Sequence, residues 1–281
     1  MKLCAFADEA AASVQGQIDA MQKNGIRLLE IRHIDGVNIA DISPAKAREV
    51  RKMLDAAGVS VWSVGSPIGK YPLGEDFAPH LDSFCRTAEL AEILGASRMR
   101  IFSFFKEEGE EEAKTREEVF LRLAKICEKA PRGLILCHEN EKEIYGESAS
   151  ACLSLHREFP RLRAVFDPAN FVQCGEDTSA AFDLLSPYIE YLHIKDADAR
   201  GKVVLAGDGV GKIPLIIEKY RALGGEVMTL EPHLKSFIGF DKLENGNSVK
   251  TGGFYKTNEE AFDAAAQRLK NIISDLGVIL V

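Results

Sequence analysis

The chain has 281 residues, with 35 Lys and Arg against 43 Asp and Glu, for a formal charge of −8. Its 46% apolar and 28% charged residues are ordinary for a globular chain and exclude disordered, collagen-like and membrane classes. The acid surplus argues against a general grip on nucleic acid, which needs a basic surface to displace counterions.

No run reaches the roughly 18 apolar residues of a membrane span. Asp8 and Glu9 stand where a secretory signal would need its apolar core, so the cytoplasm is the expected location. Cys4, Cys85, Cys127, Cys137, Cys152 and Cys174 form no CxxC pair and read as structural thiols of a reducing compartment.

Two patterns alternate along the chain. Short apolar runs of strand length occur at Lys2–Phe6, Arg27–Ile31, Val59–Val64, Met99–Phe102, Leu134–Cys137, Ala164–Phe166, Tyr191–Ile194 and Val227–Leu230. A stretch of helical period follows each, such as Leu81, Phe84, Cys85, Ala88 and Ala91 on one face of the third helix. Ser43-Pro44 reads as an N-cap with proline in the first turn. Thr115-x-x-Glu118 and Thr257-x-x-Glu260 have capping-box spacing. Gly25, Gly58, Gly95, Gly224 and Gly277 stand where left-handed helix ends are expected.

Eight strand–helix units imply a parallel sheet with right-handed crossovers, and in a chain of this length a (β/α)8 TIM barrel. An open doubly wound sheet is the alternative. No linker composition divides the chain, so residues 1–281 read as one domain. Two loops are long, Ser66–Pro79 and Ser236–Thr257. The second suits a lid or a dimer arm, and a homo-oligomer, dimer or tetramer, is compatible with the sequence.

Barrels of this kind build their sites at the C-terminal ends of the strands. The fifth strand exits through His138, Glu139 and Asn140, and the sixth through Asp167-Pro168. The seventh exits through His193, with Lys195 and Asp196 beyond. The eighth exits through Glu231-Pro232, with His233 beyond. Four successive strands thus offer Glu139, Asp167, His193 and Glu231 at one rim. Three carboxylates converging there would repel one another unless a divalent cation joined them. Oxygen donors with one imidazole suit Mn²⁺, Mg²⁺ or Co²⁺ and admit Zn²⁺. The other reading makes the four capping or ion-pair residues on rim loops.

The stretches HENEKEIYGE (138–147), FDPANF (166–171), YLHIKDA (191–197) and LEPH (230–233) resemble the xylose isomerase-like TIM-barrel superfamily, which joins sugar phosphate isomerases/epimerases with endonuclease IV-like enzymes. The resemblance implies one divalent metal, Mn²⁺ first, held by Glu139, Asp167, His193 and Glu231, with Glu139 and Glu231 as the catalytic pair. The trinuclear DNA-repair branch needs further histidines. Here strand three exits with Ser66-Pro67, strand four with Phe102-Ser103, the residue three after Asp167 is Asn170, and no Asp-x-His follows His193. The nuclease reading is therefore set aside.

The implied activity is isomerisation or epimerisation of a small-molecule carbohydrate, a sugar or sugar phosphate, by proton transfer through an enediolate. The same kit would serve a dehydratase of a keto-cyclitol or keto acid, or a barrel that binds metal and sugar without turnover. Lys195, Asn140, Asn170, Ser66, Arg32 and Glu30 are candidate substrate contacts. Lys195 could instead pair with Asp196, and Glu30 and Arg32 with each other. Lys70 and Arg100 are weaker candidates, His138 reads as structural and Trp62 as core. Ala206–Lys212 resembles a phosphate loop, but Ile213 stands where Ser or Thr is required.

Overall fold

The computed structural model describes residues 1–107, 109, 111–238 and 255–281. Eight parallel strands close a barrel in the order β1, β8, β7, β6, β5, β4, β3, β2. They are β1 (Lys2–Ala5), β2 (Leu28–Ile31), β3 (Ser60–Gly65), β4 (Arg98–Ile101), β5 (Ile135–Glu139), β6 (Arg163–Phe166), β7 (Ile189–Ile194) and β8 (Val227–Leu230). Every strand-length run of the sequence is one of them, with ends moved by two residues at most. Closure comes from β1, which pairs with β2 and with β8, where Lys2 meets Val227 and Ala5 meets Leu230.

Around the barrel lie α1 (Val14–Lys23), α2 (Pro44–Ala56), α3 (Phe77–Leu94), α4 (Glu112–Lys129), α5 (Ala149–Glu158), α6 (Pro168–Gln173), α7 (Thr178–Leu185), α8 (Ile213–Ala222) and α9 (Asn258–Asp275). The unit after β6 carries two helices, because Asp167-Pro168 caps a short α6 directly at the strand end. Ser43 caps α2, Thr257 and Glu260 form the capping box of α9, and all five punctuating glycines have positive φ. The box expected at Thr115 does not form. α4 begins three residues earlier, where Glu112 meets the positive end of the helix dipole, and Thr115 is buried in its first turns.

Alternation along the strands sorts the two faces. Outward residues such as Leu29, Ile31, Met99, Ile101, Leu192 and Leu230 pack under the helices in the main core. A second, smaller cluster of Cys4, Cys137, Val165, Tyr191 and Val227 fills the lower barrel interior. Above it the inward positions turn polar.

Two register shifts tune that interior. Between β2 and β3 the pairing passes from Leu29 with Val61 to Glu30 with Ser63, which makes Trp62 the extra residue. Between β6 and β7 it passes from Ala164 with Ile189 to Val165 with Tyr191, which makes Glu190 the extra residue. Each shift re-aims the residue after it, and Ser63 Oγ lies 3.2 Å from the Tyr191 hydroxyl inside the barrel. Trp62 is therefore only half-buried, packed beneath the inner cluster with the Arg98 guanidinium 3.6 Å from its ring.

At the mouth, Gly65 makes room for an aromatic ring. A Cβ there would come within 2.5 Å of Phe6. Phe6 in turn lies edge-on to His193, with ring centroids 5.2 Å apart. The Ser66–Pro79 loop is pinned to β4 and its exit, since Ile68 O accepts from Phe102 N at 2.8 Å and Gly69 O from Phe104 N at 2.7 Å. Of the second long loop, residues 239–254 lie outside the described residues. No helix among the described residues is long and apolar enough to cross a membrane, and all six cysteines are free thiols.

Candidate metal centre

Glu139, Asp167, His193 and Glu231 lie at the C-terminal ends of β5, β6, β7 and β8. All four are buried, and one ligand atom from each falls within 4.8 Å of the others. His193 Nδ1 faces the cluster, 3.0 Å from Glu139 Oε1 and 3.3 Å from Glu231 Oε2.

The fourth member is held by its own backbone. Asn140 donates to Asp167 O and accepts from Asp167 N, each at 2.9 Å. Asp167 Oδ1 caps α6 by accepting from Asn170 N. That leaves Asp167 Oδ2 as the buried oxygen without an aligned donor, although Lys195 Nζ is 2.9 Å away.

The electrostatics fit a cation. Burial, with Glu231 and Glu139 nearby, pushes the Asp167 carboxyl well above the usual carboxylate range against the pull of Lys195. Burial also opposes ionisation of Glu139, but His193 and Arg100 hold it low. Asp8, Glu9, Glu30, Glu139, Asp167 and Glu231 give six carboxylates against Arg32, Arg100 and Lys195. A divalent ion would remove most of that surplus. Three oxygen donors and one nitrogen, close together, with one carboxylate oxygen lacking a donor, make a set that a divalent metal fits.

The remaining candidates separate by what they touch. Glu30 is fully buried behind His193, its Oε2 being 3.1 Å from Nε2, and it also accepts from the Tyr191 hydroxyl and Thr229 Oγ1. Asn170 Nδ2 reaches Glu139 Oε1 at 3.3 Å and Asn140 O at 2.9 Å. Ser66 Oγ donates to Arg100 O and accepts from Ile68 N, which fastens the loop after β3. His138 points outward to Ser103, as read from the sequence.

Two pairings that stood as alternatives to substrate contact do not form. Lys195 pairs with Asp167 and Glu231, at 2.9 and 3.2 Å, because it shares their inward face. Arg32 pairs with Asp8, Glu9 and Glu231 rather than with Glu30, since Glu30 turns under His193. The Arg32 guanidinium lies 4.2 Å from the Phe6 ring and 4.7 Å from Phe237.

Asp196 has a different task. Its carboxylate accepts from the backbone N–H groups of Ala197, Gly207, Gly209 and Gly211, at 2.8 to 3.1 Å. A Cβ on Gly209 would come within 2.3 Å of that carboxylate. The glycines of the phosphate-loop look-alike are thus explained by a bound carboxylate of the chain itself.

Arg100, a weaker candidate in the sequence, donates to Glu139 Oε2 at 2.9 Å. Other residues of the site escaped the sequence reading: His33 Nδ1 lies 2.8 Å from Asp8 Oδ2. Asp8 and Glu9 were visible only as charges in the apolar run CAFADEA, which follows the first strand.

A family model described as xylose isomerase-like TIM barrel matches residues 18–272. The chain belongs to that family. Solved structures resemble it at low identity. An L-ribulose 3-epimerase superposes with a TM-score of 0.78 at 16% identity, over 99% of this chain and 96% of its own. The probable 3-DHS dehydratase AsbF of Bacillus anthracis gives 0.75 at 17%, over 96% and 99%. An IOLI protein with a binding zinc atom gives 0.74 at 15%, over 98% and 99%. No curated protein sequence matches significantly. At these identities the structural likeness speaks for the fold alone.

Proposed function

We propose that the chain is a divalent-metal-dependent isomerase or epimerase of a sugar or sugar phosphate, acting by proton transfer through an enediolate of the substrate. The observation that carries this reading is the convergence of Glu139, Asp167, His193 and Glu231 within 4.8 Å in a buried mouth. Glu139, Asp167, His193 and Glu231 would hold the cation, with Mn²⁺ the first choice and Mg²⁺, Co²⁺ or Zn²⁺ also suited to the donor set. When bound, it would supply Lewis-acid polarisation of a carbonyl and the hydroxyl beside it.

The chain's own groups do the rest. Glu139 and Glu231 come from β5 and β8, and both approach His193 Nδ1. Such a pair can take a proton from one face of a carbon and return one from the other. Arg100 and His193 keep Glu139 ionised and able to act as a base. Lys195, 3.2 Å from Glu231 Oε2, is placed to stabilise negative charge that develops beside it. Phe6, Phe102 and Phe237 surround these groups with apolar surface and limit water.

The test is solvent exchange. Metal-loaded protein would be incubated with a panel of ketoses in deuterated water and followed by NMR and mass spectrometry. Incorporation of one deuteron next to the carbonyl, with a new epimer or aldose at unchanged carbon count, supports the reading. A product lighter by one water would replace it with the dehydratase, and binding without exchange would leave a sugar-binding barrel.

A further inference from the structure

The cations at the mouth are matched by carboxylates of the chain. Arg100 has Glu139, Arg32 has Asp8, Glu9 and Glu231, and Lys195 has Asp167 and Glu231. The match for Lys70 is Glu141, which is not one of the four ligand candidates. Glu141 is only 6% exposed. Its Oε2 accepts from Lys70 Nζ at 2.9 Å, and its Oε1 accepts from Lys142 N at 2.9 Å and from Lys142 Nζ at 3.3 Å. Lys195 attracts it through space. Two lysines therefore bond one carboxylate two residues beyond Glu139, and Lys195 adds its charge at longer range.

The placement is close to the quartet. Lys70 Nζ lies 4.7 Å from the Phe102 ring, and the Arg100 guanidinium lies 4.6 Å from the same ring. The Lys70–Glu141 and Arg100–Glu139 pairs are thus neighbours across one side chain. Lys70 rides on the loop fastened to β4 through Ile68 and Gly69, and Gly69 N donates to His80 Nε2 at 2.9 Å.

An anionic substituent on a substrate would be drawn to this same lysine group. It would find a carboxylate already there and would have to displace it or suffer its repulsion. A neutral hydroxyl-bearing chain meets no such conflict, because ion-paired lysines and carboxylates still offer it donors and acceptors. We propose that Glu141 is a specificity-determining residue: its carboxylate fills the place that a substrate phosphate or carboxylate would need, so that the site takes a neutral ketose and rejects its phosphorylated counterpart. The inference rests on the sugar reading of the site given above.

Two measurements test it. In the first, the metal-loaded wild type is given D-fructose and D-fructose 6-phosphate in deuterated water. Exchange at least tenfold faster with the neutral sugar is expected, and equal or faster exchange with the phosphate would overturn the proposal. In the second, the chelator-treated full chain is dialysed against radiolabelled inorganic phosphate, which needs no turnover. Wild type should bind weakly, Glu141→Gln at least tenfold more tightly, and Glu141→Gln with Lys70→Met weakly again. No gain in Glu141→Gln, or a gain that survives loss of Lys70, would overturn it. Should Glu141→Gln fail to fold, the wild-type comparison decides alone. Absence of exchange with every ketose would fell the sugar reading, and the phosphate titration would still decide whether Glu141 excludes anions.

Discussion

Glu30 Oε2 lies 3.1 Å from His193 Nε2, and this contact decides which ring nitrogen of His193 faces the quartet. With Nε2 engaged from behind, Nδ1 is left toward Glu139 and Glu231. A carboxylate behind a ligating imidazole fixes its tautomer and strengthens it as a donor. Glu30→Gln keeps the volume and removes the charge. Its affinity for Mn²⁺, read by isothermal titration, should fall by roughly 10- to 100-fold with the far-UV spectrum unchanged. Unaltered affinity would show that Glu30 serves only Tyr191 and Thr229.

Glu139→Gln and Glu231→Gln should each lower the rate of deuterium exchange into substrate by roughly 10²- to 10⁴-fold, the usual contribution of a positioned general acid or base. The decisive comparison is between rate and binding. If either variant lost only ketose affinity and kept its exchange rate, that glutamate would be a ligand and not a proton carrier. A defect shared by both variants is expected, since exchange between two faces needs both.

The strands and the quartet were legible in the sequence for related reasons. Each strand is an apolar run bounded by helix caps, and the rim residues stand at the ends of those runs: Asp167 and Glu231 directly before a proline, Glu139 as the last residue of β5 and His193 as the last but one of β7. Asn140 and Asn170 were also visible as polar residues near the ligands. Their partners were not, because Asn140 grips the Asp167 backbone and Asn170 reaches Glu139 only once β5 and β6 are paired in register. Arg100, Glu30, Asp8 and Glu9 show the same limit more strongly. Arg100 meets Glu139 only once β4 pairs with β5, Asp8 meets Arg32 and His33 once β1 pairs with β2, and Glu30 and Glu9 reach His193 and His233 N only when β1 closes against β8. Glu30 further depends on a register shift that no local pattern announces.

Asp196→Ala tests the glycine loop. The variant strips the acceptor from the N–H groups of Ala197, Gly207, Gly209 and Gly211. Hydrogen bonds to a charged group contribute about 1.5–3 kcal/mol each, and water can replace some of them. A loss on the order of 2–4 kcal/mol in urea unfolding is expected, together with faster amide exchange at Gly207–Gly211. A stability change below about 0.5 kcal/mol, the range of an ordinary surface substitution, would mean that the loop holds itself without this carboxylate.

The last prediction concerns acid. Burial, with Arg122 nearby, pushes His80 down to about 4, and burial likewise pushes His156 down to about 4 against its bond to Leu162 O. Between these values and the ordinary histidine value near 6.5 the unfolded chain binds protons that the folded chain refuses. Stability contributed by the neutral rings is therefore fully present above about pH 6.5 and is lost as pH falls toward 4. The loss from His80 alone between pH 7 and 4.5 is roughly 2–3 kcal/mol. The place of failure is also set, because His80 Nε2 accepts from Gly69 N and its ring stacks on Tyr71 with centroids 4.4 Å apart. Protonation would turn that acceptor into a donor and release the loop that carries Lys70. His80→Gln, which can still accept a hydrogen bond, should show a shallower fall in urea stability over this range by about the amount stated. A wild type equally stable at pH 7 and 4.5, or a variant with the same slope, would show that His80 already takes its proton in the folded state.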